Sequence, residues 1–223
     1  MRRDVLSEGL GTALLLFVIV GSGVAAESLS SDRGVQLLAH SVIVGLALGA
    51  LIDMLHSVSG SHFNPSVTLA FWRSGGLGLS DAFAYMAAQV LGGIVGVILA
   101  NVTFGLPAVL VATTTRSGFG SVVAEAVATF VLVLIILSLV RSGRVGHIPA
   151  AAGAWVAAVV FATSSTGFAN PAVTVARMLT DSFTGIAPLS ITGFLAAQIL
   201  AGLSAALVAK SLYPQPVPKA ANT

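Results

Sequence analysis

Charged residues are scarce in this chain, and their scarcity restricts its class. Only 8% of the 223 residues are Asp, Glu, Lys or Arg, while 56% are hydrophobic. Soluble globular domains carry roughly 25% charged residues, so ten basic and eight acidic side chains cannot cover a water-soluble surface of this size. A membrane helix uses about 20 apolar residues. The length therefore accommodates about six such helices and no separate soluble domain.

Cysteine is absent, which excludes disulfides, thiolate metal sites and cysteine nucleophiles. The sequence also lacks the HExxH, GxSxG and phosphate-loop patterns of common enzymes. Its four histidines show no metal-ligand spacing, and its basic residues are scattered, which is not typical of nucleic-acid binding. We therefore expect no enzymatic activity, no metal, no cofactor and no nucleic-acid partner.

The few charges delimit six intervals that are long enough to cross a bilayer. The predicted spans are residues 9–26, 34–52, a segment within 82–115, 117–140, a segment within 145–176 and a segment within 182–209. The first interval also has features of a signal peptide, since Arg2 and Arg3 precede it and Val24-Ala25-Ala26 resembles a cleavage site. A similar apolar run later in the chain, which begins at Glu125, favours a membrane helix over a signal peptide for this interval.

The chain contains an internal repeat. The matching segments are the runs that begin at Glu8 and Glu125, residues 61–68 and 167–174, and residues 87–93 and 196–202, displaced by 117, 106 and 109 residues. We therefore predict one membrane domain over 1–212, with repeats at about 5–100 and 120–210, and a disordered tail over 213–223. Each repeat holds three spans, so the second enters from the opposite side. Inverted pairs of this kind form their shared site near the membrane midplane.

The distribution of basic residues predicts how the chain is oriented. If the amino terminus lies in the cytoplasm, seven Lys or Arg residues are cytoplasmic and three, Arg33, Arg116 and Arg177, are external. This excess predicts that both termini, and the tail, are cytoplasmic.

Two Asn-Pro segments follow the second and fifth spans, and their apolar stretches are too short to cross. Asn is a favoured N-cap and Pro suits the first helical position, so we predict helices over 65–72 and 171–178. Each would be about 12 Å long, against a hydrocarbon core of about 30 Å. Two such half-helices meet amino end to amino end, where the amides of Asn64 and Asn170 can each donate a hydrogen bond. Such a site suits a neutral hydrogen-bonding solute and repels cations and protons.

Two motifs carry a family signature: Ser-Gly-Ser-His-Phe-Asn-Pro-Ser-Val-Thr at 59–68 and Asn-Pro-Ala-Val-Thr at 170–174. They resemble the paired signature of the aquaporin and aquaglyceroporin (major intrinsic protein) family, and the resemblance covers about residues 5–210. It implies an all-α membrane fold of six tilted helices and two re-entrant half-helices, with one pore per protomer and a homotetramer in the lipid bilayer. The implied pore-centre residues are Asn64, Pro65, Ser66, Asn170, Pro171 and Ala172.

Three polar residues near these motifs have candidate roles. Glu8 and Glu125 lie within apolar spans, where a carboxylate is costly and marks a function. Paired carboxylates can act in catalysis, but no nucleophile accompanies them, and the resemblance implies that each accepts hydrogen bonds from a half-helix loop. His62 is expected to line the inner vestibule, and the alternative is a hydrogen-bonded histidine of the core.

The sequence departs from the family at the outer constriction. Family members carry Arg directly after the second Asn-Pro-Ala, and this chain has Val173 there. The other constriction positions fall on Val44 in the second span, Ala158 or Val159 in the fifth, and Gly167 or Phe168 in the loop. A ring without Arg or His is wide and mostly aliphatic. In this respect the chain resembles the divergent bacterial channels of arsenic-resistance operons, which carry Val at that position.

Arg177 is a further candidate at the constriction. It lies four residues after Val173, on the same face of the half-helix and about 6 Å further out. It could replace the missing Arg with a displaced charge. The alternative is an interfacial arginine whose charge reaches water.

Together these features predict a passive channel for small uncharged solutes and water that excludes ions and protons. The expected solutes are glycerol-like polyols, metalloid hydroxides such as arsenite, and methylated arsenicals. A strict water channel is one alternative. A secondary active transporter is another, since inverted repeats and broken helices also serve transporters. The expected location is a bacterial-type inner (plasma) membrane.

Overall fold

The computed structural model describes residues 2–218, and all regular structure in that part of the chain is helical. The α-helices are α1 (Arg3–Leu29), α2 (Arg33–Ser59), α3 (Pro65–Arg73), α4 (Leu79–Thr103), α5 (Phe119–Arg141), α6 (Ile148–Ala162), α7 (Pro171–Ala176) and α8 (Ile191–Leu212). Short 3-10 turns precede α6, follow α7 and precede α8, at Val145–His147, Arg177–Leu179 and Pro188–Ser190. Six helical segments are long and apolar enough to cross a membrane: α1, α2, α4, α5, and α6 and α8 each taken with the 3-10 turn before it.

The second half of the fold repeats the first. Helices α5 to α8 follow the same order of two long, one short and one long helix as α1 to α4. α3 has nine residues, which gives about 14 Å at 1.5 Å per residue, roughly half of a hydrocarbon core. α7 has six residues and continues as a 3-10 turn. The predicted all-α architecture, with six spans and two re-entrant half-helices, is confirmed.

Small residues let the long helices approach closely. A Cβ at Gly92 of α4 would lie 2.1 Å from the carbonyl oxygen of Gly9 in α1. A Cβ at Gly45 of α2 would lie 2.5 Å from the carbonyl oxygen of Gly153 in α6. Helices in a bilayer associate through such packing, because lipid is as apolar as the helix surface. Large apolar side chains are exposed over the outside of the bundle, where they would contact lipid.

Both ends of the described chain lie at one end of the bundle, because Asp4 and Pro218 line the same cavity. We call this end the terminal face and the other end the opposite face. Arg2 pairs with Asp81 at the terminal face. The connection 104–118 between α4 and α5 crosses the opposite face, where its backbone bonds to the turn after α7.

The carboxyl-terminal segment differs from the prediction of disorder over 213–223. Residues 213–218 fold back across the terminal face, where Arg141 donates from Nη1 to two of their carbonyl oxygens, at 2.6 and 3.3 Å. Val217 is buried as well. The composition of the segment could not reveal this packing, because its partner is a buried arginine at the end of α5. Residues 219–223 lie outside the described part of the chain.

Candidate functional site

The two half-helices begin with the same cap. The side chain of Asn64 accepts a hydrogen bond from the backbone N–H of Ser66 (2.9 Å), and that of Asn170 accepts one from Ala172 (2.9 Å). A proline follows each asparagine at the first helical position, where no backbone N–H is needed. Each asparagine is thus fixed at the amino end of a helix, where the helix dipole adds partial positive charge.

The same asparagines join the two half-helices. Asn64 Nδ2 donates to the carbonyl oxygen of Ala169 (2.7 Å), and Asn170 Nδ2 donates to that of Phe63 (2.7 Å). The bonds are reciprocal, as a twofold relation between the repeats requires. An amide nitrogen carries two protons, so each asparagine keeps a second N–H beyond this bond.

Glu8 braces the first loop. Its Oε1 accepts from the backbone N–H of His62 (2.9 Å), and its Oε2 accepts from that of Phe63 (2.7 Å). The side chains of Ser59 and Gln89 donate two further bonds to the carboxylate, at 2.7 and 2.8 Å. The glutamate is 0% exposed, so protein donors replace water around its carboxylate.

Glu125 makes the equivalent contacts in the second loop. Its Oε1 accepts from Phe168 N (2.8 Å), and its Oε2 accepts from Ala169 N (2.8 Å) and from Gln198 Nε2 (2.6 Å). In both repeats the bonded N–H groups belong to the two residues before the asparagine. The two carboxylates therefore hold the two loops in one geometry.

The braced backbone is strained at equivalent positions. Phe63 and Ala169 have φ angles of 47° and 50°, in the left-handed region, which costs a non-glycine residue about 1–3 kcal/mol. Each residue donates its N–H to a buried carboxylate, and a hydrogen bond to a charged group contributes about 1.5–3 kcal/mol. The glutamates thus offset the strain that turns these carbonyl groups toward the opposing asparagines.

A central cavity with about 490 Å³ of free space runs past both asparagines. Val67 and Val173, each three residues after an asparagine, both line it, together with apolar side chains of α1, α2, α5 and α6. None of its lining residues is Asp, Glu, Lys or Arg. The cavity is therefore an apolar passage with polar groups concentrated near its midpoint.

The lining on the side of the asparagines nearer the opposite face includes Val44, Phe168 and Val173, which are 3%, 5% and 3% exposed. An aliphatic, an aromatic and a second aliphatic side chain thus form the wall where the family pattern has Arg. No charged group of the described residues projects into the cavity at this level.

The expectation for α6 at this constriction is corrected. Ala158 is exposed on the outside of the helix, because each residue turns the helix by about 100° and places 158 away from the face of 152 and 156. Ala152 and Val156 line the cavity instead. Val159 is buried, but a Cβ at Gly167 would lie 2.8 Å from its Cγ2. Val159 and Gly167 therefore pack on each other.

Arg177 lies behind Phe168. Its Cζ is 3.5 Å from the centroid of the Phe168 ring, and its Nε donates to the carbonyl oxygen of Thr184. The residue is 4% exposed and does not line the central cavity. Its guanidinium is therefore buried against the phenyl ring of Phe168.

Arg116 is a second arginine beside Phe168, and no sequence pattern indicates this position for it. It comes from the connection 104–118, and its Cζ lies 5.3 Å from the Phe168 centroid. Its Nε and Nη2 donate to carbonyl oxygens of 183–185 at 2.8 and 2.9 Å. Burial lowers the pKa of Arg116, yet a guanidinium stays protonated in proteins. Two positive charges thus hold the phenyl ring of the constriction.

His62 lies on the other side of the asparagines, between two cavities. It lines both the central cavity and a vestibule of about 960 Å³ at the terminal face. Its ring packs on Phe71 with 4.4 Å between centroids, and its Nδ1 lies 3.1 Å from Thr68 Oγ1. The histidine is therefore hydrogen-bonded within the wall and also faces the passage. Within residues 2–218, no three potential metal ligands come together.

Comparison with known proteins places this geometry in context. Residues 1–169 match the model of the family described as Major intrinsic protein. The chain is 40% identical to aquaglyceroporin AqpS of Rhizobium meliloti (strain 1021), over 92% of this chain and 88% of that protein. It is 30% identical to Aquaporin Z of Photorhabdus laumondii, over 79% of this chain and 82% of that protein.

A solved structure is also similar. The aquaglyceroporin from Plasmodium falciparum superposes with a TM-score of 0.76, covering 95% of this chain and 94% of that chain. The two sequences are 20% identical, so this likeness bears on the fold alone.

Proposed function

The chain belongs to the major intrinsic protein family, whose members are membrane channels for water and small solutes, and we propose that its constriction admits uncharged solutes larger than water. The proposed solutes are glycerol-like polyols, metalloid hydroxides such as arsenite, and methylated arsenicals. Its relative AqpS carries the name aquaglyceroporin, which supports the polyol part of the proposal. Proteins of this family are channels rather than enzymes.

The observation that carries the proposal is the wall formed by Val44, Phe168 and Val173. A guanidinium at position 173 would bring width-reducing bulk and several donors into the passage. Valine brings neither, and Arg177 lies behind Phe168. An apolar wall of this kind accommodates the carbon backbone of a polyol or the methyl group of an arsenical, while the solute's hydroxyl groups reach the asparagine amides.

Ions and protons are excluded by the same arrangement in our proposal. Two half-helix amino ends and two amide donors meet at the midpoint, and their partial positive charge opposes cations and hydrated protons. Arg116 and Arg177 add positive charge near the opposite-face entrance. No carboxylate lines the passage to compensate a cation, and anions would lose hydration against apolar walls.

The proposal is tested by stopped-flow light scattering of proteoliposomes exposed to gradients of glycerol, arsenite or the impermeant sucrose. We expect glycerol and arsenite to enter much faster than into empty liposomes, with no entry of sucrose and no proton leak. Rapid water flow with glycerol and arsenite excluded would show a strict water channel and overturn the wide-constriction proposal.

The same vesicles distinguish a passive channel from a secondary active transporter. Ion-coupled transport normally needs titratable or ion-coordinating groups at the midplane, and the central cavity offers amides and one histidine. We expect equilibration of solute without accumulation, unchanged by an ionophore. Accumulation against a gradient that an ionophore abolishes would establish a transporter.

Assembly and orientation are further parts of the proposal. We propose a homotetramer in a bacterial inner membrane with the terminal face in the cytoplasm. The basic residues at or near the helix ends on the terminal face are Arg2, Arg3, Arg73, Arg141, Arg144 and Lys210. This supports the orientation through the excess of basic residues on the cytoplasmic side. Native mass spectrometry of the detergent-solubilised protein measures the subunit number. Protease access to the tail in inside-out vesicles measures the orientation.

A further inference from the structure

A separate cavity with polar and charged lining lies at the terminal face. It is formed between the ends of α3, α5 and α8, away from the central cavity. It holds about 580 Å³ of free space. Arg73, Arg141 and Lys210 line it, together with Ser74, Pro214 and Pro216. None of its lining residues is acidic, and the salt bridges of residues 2–218 involve Arg2 alone among the basic residues. We call this cavity the basic pocket.

Two buried donors in the wall of the basic pocket lack a partner. Arg141 is 6% exposed, and its Nη1 is occupied by carbonyl oxygens of the tail. Its Nε has no hydrogen-bond partner among the described residues, and the same is true of the buried Oγ of Ser74. An unsatisfied buried polar group costs about 1–3 kcal/mol. The charges of Arg73, Arg141 and Lys210 would stabilise an acceptor placed in the pocket.

The pocket also keeps a positive charge after the helix ends are counted. Three side chains contribute +3, and the carboxyl ends of three helices contribute roughly half a negative charge each. About 1.5 positive charges remain. A net positive charge of this size favours an anionic occupant.

We propose that the basic pocket binds a phosphate group, supplied by the headgroup of an anionic lipid or by free phosphate. Phosphate oxygens accept hydrogen bonds from arginine in paired geometry and attract lysine as a point charge. Basic pockets between membrane helices at the membrane surface bind anionic headgroups for this reason. Here Leu207 lines the pocket and is 54% exposed on α8, which gives an acyl chain an apolar surface directly beside the charges.

The test compares wild type with the double variant Arg73→Ala/Lys210→Ala. Both residues are exposed and lie outside the channel wall, so solute permeation should be retained. Arg3→Ala/Arg144→Ala is the matched control, because it removes the same charge from two other exposed residues of the terminal face. Native mass spectrometry and thermal unfolding in detergent would be measured with phosphatidylglycerol, with phosphatidylcholine and with inorganic phosphate.

We expect phosphatidylglycerol to bind wild type and the control equally and to bind the pocket variant about thirtyfold more weakly, since each basic residue near an anionic surface contributes about 1 kcal/mol. Stabilisation by inorganic phosphate alone, lost in the same variant, would identify free phosphate as the source. Equal losses of phosphatidylglycerol binding in both double variants would show that the effect comes from general surface charge. That result, or binding of neither phosphate source above phosphatidylcholine, would overturn the proposal.

Discussion

In the first re-entrant loop the residue two positions before the asparagine is His62, and in the second it is Phe168. The backbone N–H of each donates to a buried glutamate, at 2.9 and 2.8 Å. Each next residue has a left-handed φ angle and offers its carbonyl oxygen to the asparagine of the other loop. The loops share one backbone, but one presents an imidazole toward the terminal vestibule and the other a phenyl ring toward the opposite face.

This difference separates two tasks. The glutamates, asparagines and strained residues form a frame that repeats across the inverted halves, because both halves must turn a half-helix at the midplane. The side chains mounted on the frame do not repeat, and we assign the choice of solute to them. Val173 is an exception, because its equivalent Val67 has the same side chain and also lines the cavity. We nevertheless assign position 173 a part in the choice of solute, because the family pattern has Arg there.

Removing the carboxylate that holds one of the re-entrant loops should have the largest effect on stability. Glu8→Gln and Glu125→Gln each replace an acceptor oxygen by an amide that faces backbone donors, so each should lower the free energy of unfolding by about 3 kcal/mol. Thermal unfolding in detergent measures this. Glu27→Gln is the matched control, because Glu27 is exposed and accepts one described hydrogen bond. A loss of stability in only one of the two glutamate variants would contradict the equivalence of Glu8 and Glu125.

Changes at His62 and Phe168, the two positions that differ between the loops, should give smaller and unequal effects on solute uptake. Phe168→Ala removes the aromatic wall of the constriction, so entry of a four-carbon polyol should rise about tenfold, a barrier lower by about 1.4 kcal/mol. His62→Ala acts where the cavity already opens into the vestibule, and the same uptake should change about twofold or less. Equal increases in the two variants would place the narrow point elsewhere.

The arginines behind Phe168 should contribute least. Arg177→Met and Arg116→Met keep much of the side-chain length and remove the charge that holds the ring, a contact worth about 0.5–2 kcal/mol. Glycerol uptake should therefore shift by about threefold or less, with a lowered unfolding temperature. If Arg177→Met instead raises uptake as strongly as Phe168→Ala, then Arg177 forms part of the passage itself.

The frame could be predicted from the sequence because its signals are local. Asn-Pro sets a cap and a first helical residue, and the two copies of this pair lie in register with repeated Glu and Gln positions. Six spans and two half-helices follow from these signals and from the spacing of charges.

The constriction could be predicted only in part, because tertiary packing decides it. The spacing before Asn170 leaves Ala158 and Val159 as alternatives in α6. Only the fold shows that Ala158 is exposed on the outside while Ala152 and Val156 line the cavity. The distribution of basic residues indicates only that Arg116 is external. Its partners are carbonyl groups about 70 positions further along the chain, and no local pattern reports such contacts.

The central claim is that Val173 leaves the constriction open to solutes larger than water. The most direct measurement is the ratio of glycerol to water permeability for wild type, Val173→Ile and Val173→Arg in matched proteoliposomes. The account predicts that Val173→Arg lowers this ratio at least about tenfold, while Val173→Ile, which adds bulk without charge, lowers it much less. An unchanged ratio in Val173→Arg would contradict the account, because position 173 would then not control the choice of solute.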